Sequence, residues 1–388
     1  MGIYNFDSTL DHKTNGSFRW EQVNGRNDII GMGTADLDYF CPPCVKEATR
    51  HIWEENTFNY RMRPDSYFNA VIGWYKRHFD LDIKREWLFS VPGTLASIRL
   101  AVGCFAEKGD GVIVQMPCFG PIQTSIKLSG FKMVENPMKL IEGHYELDLE
   151  DFEKKVKDEK PKVFLMVNPH NPTGKLFSKE DLAELVRICA ENGVKIVSDE
   201  VHSIIVPGEK KFTPILAVND AAKDISIQVV SMSKGYNLMS LPHAIVTIPN
   251  EELRKAYADT ISAHSFGYAT NSYAITAAES VMNDADEWLK EVTQYIRENG
   301  DYAIEYCEKY IPKLKPIRPE GGFLLWIDCS RLNIPKEEVA EWFVEHAGIT
   351  LDNGLEFGEE GAGFIRLNIA VTKDVLRQAM ERLREACK

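Results

Sequence analysis

Between Leu88 and Lys234 the chain repeats one pattern: a short apolar run, a turn of glycine, proline or asparagine, then a stretch with helical periodicity. The apolar runs cover 88–91, 112–115, 162–167, 194–198 and 225–230. Apolar runs of this length suit strands buried on both faces, and strands separated by helices run parallel. The pattern predicts an α/β fold, a mainly parallel sheet covered by helices on both faces. In such a sheet ligands gather beyond the carboxyl ends of the strands. Asn171, Asp199 and Lys234 each follow a run directly, so all three are expected to line one crevice.

The chain is 388 residues long, which allows two domains. We expect an arm over 1–45 that joins a small domain, a large domain over 46–282, and a small α+β domain over 283–388. Helical patterns at 43–55, 66–79, 251–262, 273–310 with a break near 283–284, 336–346 and 374–386, and strands near 323–328 and 364–371, support that division.

With 45 basic and 58 acidic side chains the net charge is −13, and no basic block stands out, which argues against a nucleic-acid partner. The N-terminal Met1-Gly2-Ile3-Tyr4-Asn5-Phe6 has no charged-then-apolar leader, and no apolar run approaches membrane-spanning length. A cytoplasmic protein without a membrane partner is expected. Its eight cysteines are expected as thiols. Cys41-Pro42-Pro43-Cys44 has the spacing of a redox pair or half a zinc site, but no second half-site follows and the prolines suit a turn, so no metal is expected.

Six local features are candidates to carry chemistry. In Ser231-Met232-Ser233-Lys234-Gly235-Tyr236-Asn237 an amine stands among hydroxyls at the end of a strand. A desolvated lysine loses its proton more readily and becomes a nucleophile towards a carbonyl, while the serines suit a phosphate, which together fit a Schiff base to pyridoxal phosphate. The turn Pro92-Gly93-Thr94 leads from a strand into a helix N-terminus, whose free amides and dipole favour phosphate. Asn168-Pro169-His170-Asn171-Pro172-Thr173-Gly174 is a stiff loop able to fix its amide side chains. Phe119, in the turn after 112–115, suits a stacking platform and equally a cover over the core. Gly33-Thr34-Ala35-Asp36-Leu37-Asp38 is small and polar enough to approach a ligand. The loop at 57–65, with Tyr60 and two arginines, suits a contact site or a solvated surface.

Taken together, Ala35-Asp36-Leu37-Asp38, Pro64-Asp65-Ser66-Tyr67, the 168–174 loop, Ser198-Asp199-Glu200-Val201-His202-Ser203, Ser233-Lys234 and Gly363-Phe364-Ile365-Arg366-Leu367-Asn368 resemble the fold type I pyridoxal-phosphate enzymes. Within these they look most like the cystathionine β-lyase and cysteine-S-conjugate β-lyase branch related to MalY and PatB. The resemblance spans nearly the whole chain and implies a mainly parallel seven-stranded sheet covered by helices on both faces, with a smaller α+β domain. It implies that Lys234 bonds the cofactor and takes the proton from the substrate Cα, and that Asp199 pairs with the pyridine nitrogen. Asn171 would donate to the phenolic oxygen and Phe119 would stack on the ring, with His202 also in the cofactor site. Gly93, Thr94, Ser231 and Ser233 would hold the phosphate, and Tyr60 would reach it from a neighbouring subunit, which makes the active unit a homodimer. Arg366 would take the substrate carboxylate as a bidentate pair, with Ala35 and Asp36 beside the substrate.

The implied reaction is α,β-elimination on cystathionine or another cysteine S-conjugate, giving thiol, pyruvate and ammonia. An aminotransferase on the same scaffold needs the same lysine, aspartate and arginine, and a cofactor-binding regulator is a third reading. Four departures from the branch stand out: Gly31-Met32-Gly33-Thr34 without a tryptophan, Phe119-Gly120 in place of paired tyrosines, Gly235-Tyr236 with Ser240-Leu241-Pro242-His243 after the lysine, and Asn353-Gly354 in place of Pro-Gly. All four are expected around the substrate, which implies a substrate other than plain cystathionine.

Overall fold

The computed structural model describes residues 2–8, 10, 16–21, 23, 26, 28–266 and 271–388. Met1 and the remaining positions of the arm expected over 1–45 lie outside the described residues. Seven strands form the central sheet: β1 Leu88–Val91, β2 Gly111–Met116, β3 Lys132–Pro137, β4 Val163–Val167, β5 Lys195–Asp199, β6 Ser226–Val230 and β7 Ala244–Thr247. Their order is β1-β7-β6-β5-β4-β2-β3. From β6 to β3 every pairing is parallel, while β7 runs antiparallel to both β6 and β1. Strands β2, β4 and β6 are buried at every position, as continuous apolar runs between two helical layers should be.

Strand β7 departs from the parallel pattern for a covalent reason. A parallel return needs a crossover, but the 231–243 connection holds a single helical turn, Ser233–Tyr236, and the chain comes straight back beside β6. Ala244 then pairs with Val91, which sets His243 next to the Pro92-Gly93 turn.

Local signals place the helices. Ser178 and Asp181 close a reciprocal capping box on Lys179–Glu191, and Gly93, at φ +92°, turns β1 into helix Thr94–Gly103. The long helical pattern breaks at Ala285, between Ser272–Asp284 and Asp286–Tyr310. Pro43 opens helix Pro43–Glu55, all eight cysteines are free thiols, and no metal-binding cluster exists among the described residues. Among the same residues no helix is long and apolar enough to cross a membrane.

A second sheet of four antiparallel strands is built from Lys315–Ile317, Leu324–Asp328, Phe364–Asn368 and Asp352–Asn353. Trp326 stacks on Phe364 with ring centroids 5.1 Å apart. The N-terminal Ile30–Gly31 pairs with Ile349–Thr350, and Phe6 packs among Tyr39, Trp288 and Tyr295, so the arm is tied to C-terminal elements. Side chains two apart on a strand share a face. Arg366 and Asn368 accordingly point the same way, and Asn368 donates to the Thr34 and Asp36 carbonyls at 2.6 and 2.7 Å. That pair of bonds carries the 34–36 loop over the carboxyl ends of the central strands.

Candidate active site

A cavity of about 360 Å³ opens at those carboxyl ends. Gly93 and Thr94 after β1, Phe119 after β2, Asn171 after β4, and Asp199 with His202 at the end of β5 line it. Ser233 and Lys234 after β6 and Ala35 from the overlying loop line it as well. Strand ends as far apart in sequence as Val91 and Val230 thus converge on one volume, because parallel strands all deliver their C-termini to the same edge.

Lys234 reaches across the cavity and donates from Nζ to the Ala35 carbonyl at 2.6 Å. Removal from bulk water, helped by the Arg366 cation, pulls its pKa down to about 8, against the opposing pull of Asp36 and Asp199. Asp199 is buried and takes the Val201 amide at 3.1 Å; burial pushes its pKa up to about 6, so it is a carboxylate at neutral pH. His202 lies beneath Phe323, and burial holds it near 3, hence neutral.

Arg366 is 4% exposed and held on three sides. Its Nε donates to Asp352 Oδ2 at 2.8 Å, its Nη2 bonds the same oxygen, and its Nη1 donates to Asn171 Oδ1 at 2.8 Å. The guanidinium lies 4.8 Å over the Phe357 ring. Asn171 therefore joins the cavity to the arginine.

The phosphate-type donors are at the other end. Ser231 Oγ donates to the His243 carbonyl at 2.6 Å and lies 2.9 Å from Ser233 Oγ, so Ser231 stands behind Ser233 rather than in the lining. Asp36 is turned away from the cavity: its carboxylate and its carbonyl both take the buried Arg19 guanidinium. Tyr60 stands on the surface, 97% exposed.

The described residues fit pyridoxal phosphate. An amine poised to lose its proton, a buried carboxylate, the aromatic ring of Phe119 and a helix N-terminus beside a serine hydroxyl line one cavity of suitable volume. Sequence reasoning missed Asp352, Phe357 and Arg19. Each acts through a contact with a residue on another element, Asp352 and Phe357 with Arg366 and Arg19 with Asp36, which no local motif reports.

The departures distribute differently from expectation. Gly235 and Tyr236 belong to the core and not to the substrate pocket: a Cβ on Gly235 would fall 2.1 Å from Ile204, and Tyr236 is fully buried against Trp288. Gly120 lets the 354–357 segment close in, since a Cβ there would meet the Glu356 carbonyl at 2.6 Å, and Cys118 N–H donates to the Phe357 carbonyl at 2.7 Å. Asn353 caps that segment through Leu355 N–H at 3.1 Å. Pro242 and His243 do line the cavity, at its Gly93 end.

Comparison with known proteins agrees with this geometry. Residues 27–383 match the family described as aminotransferase class I and II. The cystathionine β-lyase PatB of Bacillus subtilis is 30% identical over 98% of this chain and 99% of its own. Two solved structures superpose closely. One is a pyridoxal-phosphate-bound chain of Clostridium difficile, provisionally called an aminotransferase, at TM-score 0.96 and 32% identity over 99% and 100% of the two chains. The other is a C-S lyase of Staphylococcus hominis bound to the same cofactor and L-cycloserine, at TM-score 0.93 and 29% identity over 99% and 98%.

Proposed function

The chain belongs to the aminotransferase class I and II family of pyridoxal-phosphate proteins, and on that premise we propose that it is a carbon-sulfur β-lyase acting on cystathionine or another cysteine S-conjugate. Lys234, whose pKa burial pulls down to about 8, and Arg366, held at the cavity by Asn171, support amino-acid chemistry on the cofactor, and the choice of elimination rests on the relatives. The names of the PatB and Staphylococcus relatives favour elimination.

When bound, the cofactor supplies an electron sink for charge developing at the substrate Cα. The chain's own groups do the rest. Arg366 takes the α-carboxylate on the edge that Asp352 leaves free, which orients the Cα–H bond towards Lys234. Lys234 as free amine accepts that proton. Asp199, ionised above about pH 6, sits where it can keep a pyridine nitrogen protonated. The thiolate then departs from Cβ, with the electron pair of the broken bond on sulfur. Phe119 and Gly120 bring no hydroxyl to it, so Lys234, carrying the proton from Cα, is the acid at hand.

The active unit is proposed to be a cytoplasmic homodimer. Trp53, Phe58, Tyr60 and Met62 are all exposed on one segment, an apolar surface of the kind a second copy covers, and Tyr60 would then reach the partner's phosphate site. Transamination is the second reading, supported by the provisional description of the Clostridium relative. Incubating holoenzyme with cystathionine and S-alkylcysteines separates the two. Elimination releases thiol and pyruvate together over many turnovers, whereas one equivalent of aminated cofactor without thiol would sink the lyase reading.

A further inference from the structure

Residues 352–358 run from a strand of the small sheet to the turn that follows β2. Asp352 pairs with Arg366, and Phe357, 2% exposed, sets its ring 4.8 Å from the guanidinium. The same ring packs edge-on against Trp326, with centroids 5.4 Å apart, and faces Phe119 at 6.5 Å. The segment is seated on the turn backbone against backbone. Cys118 N–H donates to the Phe357 carbonyl at 2.7 Å, and a Cβ on Gly120 would fall 2.6 Å from the Glu356 carbonyl. Gly358, at φ +113°, then turns the chain away where a Cβ would run into the Met116 methyl. Asn353 and Glu356 close the segment into one capped turn.

Arg366 commits its Nε–H and one N–H of Nη2 to Asp352, and one N–H of Nη1 to Asn171. One N–H on each Nη remains, the two donors that a carboxylate takes as a pair. A cation over an aromatic face is attracted to it, and a packed ring keeps water from that side. Because the Phe357 ring also packs beside Phe119, where it stands decides how far the remaining donors lie from the cofactor cavity. We infer that Phe357 is a positioning residue for the substrate carboxylate, holding the open donors of Arg366 in place relative to Phe119, and that Gly120 is the glycine that seats it. The inference rests on Arg366 as the carboxylate anchor and stands whether the chain eliminates or transaminates. It also gives the Phe119-Gly120 departure a role, since a side chain at position 120 would lift the segment that supplies Arg366 with both its carboxylate and its aromatic face.

The test titrates holoenzyme with L-alanine and with L-alaninamide, which lacks the carboxylate, and follows the absorption of the bound cofactor. Phe357→Leu keeps most of the bulk but removes the aromatic face, and is expected to raise the half-saturating concentration of L-alanine about tenfold while leaving L-alaninamide unchanged. Phe357→Tyr, which keeps the ring, is expected to stay within about twofold of the wild type. Equal losses for both ligands, no loss for L-alanine, or a Phe357→Tyr variant as weak as Phe357→Leu would overturn the inference. Arg366→Lys separates it from the reading beneath it. Wild-type binding of L-alanine by Arg366→Lys would reject the anchor and the inference with it, whereas a loss there without a loss in Phe357→Leu rejects the inference alone. Should Phe357→Leu fail to retain the cofactor, Gly120→Ala, which removes no side chain, decides: a loss confined to L-alanine supports the inference, and any other pattern rejects it.

Discussion

Lys234 and Arg366 are two cations withdrawn from water within one cleft, and the fold treats them in opposite ways. The ammonium of Lys234 is given a neutral carbonyl, Ala35, as its hydrogen-bond acceptor. The guanidinium of Arg366 receives a carboxylate, an amide oxygen and an aromatic face. Burial without a paired anion destabilises charge, so Lys234 is prepared to give its proton away. Partners on three sides hold the Arg366 guanidinium in one orientation and leave one edge for a carboxylate. One group is built to change and the other to stay, which is what a base and an anchor require.

Breaking the changeable member has the largest expected effect. Lys234→Ala should lower lyase turnover by about 10³-fold or more and abolish the covalent cofactor chromophore, read by absorption. Next comes the anchor: Arg366→Lys keeps the charge but loses the planar fork, and should lower kcat/KM about 10²-fold, chiefly through KM. Removing the anchor's partner tests why it stays fixed. Asp352→Ala leaves Arg366 buried without its counter-charge and should destabilise cofactor-free protein by about 3 kcal/mol, read from the urea midpoint. The smallest effect sharpens the contrast. Capture of pyridoxal phosphate by cofactor-free protein should speed up with pH, reach half its maximum rate at about pH 8 and level off above that, as Lys234 loses its proton. A rate still climbing into the ordinary lysine range would show that the amine is solvated like any other.

Strands β2, β4, β5 and β6 were legible because each carries an apolar run followed by a turn, and Asn171, Asp199 and Lys234 follow from where such strands end. Strand β7 was not legible as antiparallel: its direction depends on the shortness of the 231–243 connection, which no periodicity reports. Edge strand β3 alternates exposed and buried positions and lacks the apolar run that marked the others. The substrate end was harder still. Asp36 reads as a ligand-facing carboxylate until Arg19, 17 residues earlier and fully buried, is seen to hold it. Gly235 reads as a pocket residue until the Ile204 methyl is found against it. Such contacts join segments whose proximity only the folded chain establishes, and the resemblance to the lyase branch supplied roles for the shared residues but none for these.

The central claim is that Lys234 is the lysine that bonds the cofactor. Holoenzyme reduced with borohydride, digested and analysed by mass spectrometry should carry one pyridoxyl phosphate group, on the peptide containing Lys234. A label on another lysine, Lys175 being the obvious rival since it too is buried but is paired with Glu146, would contradict the account.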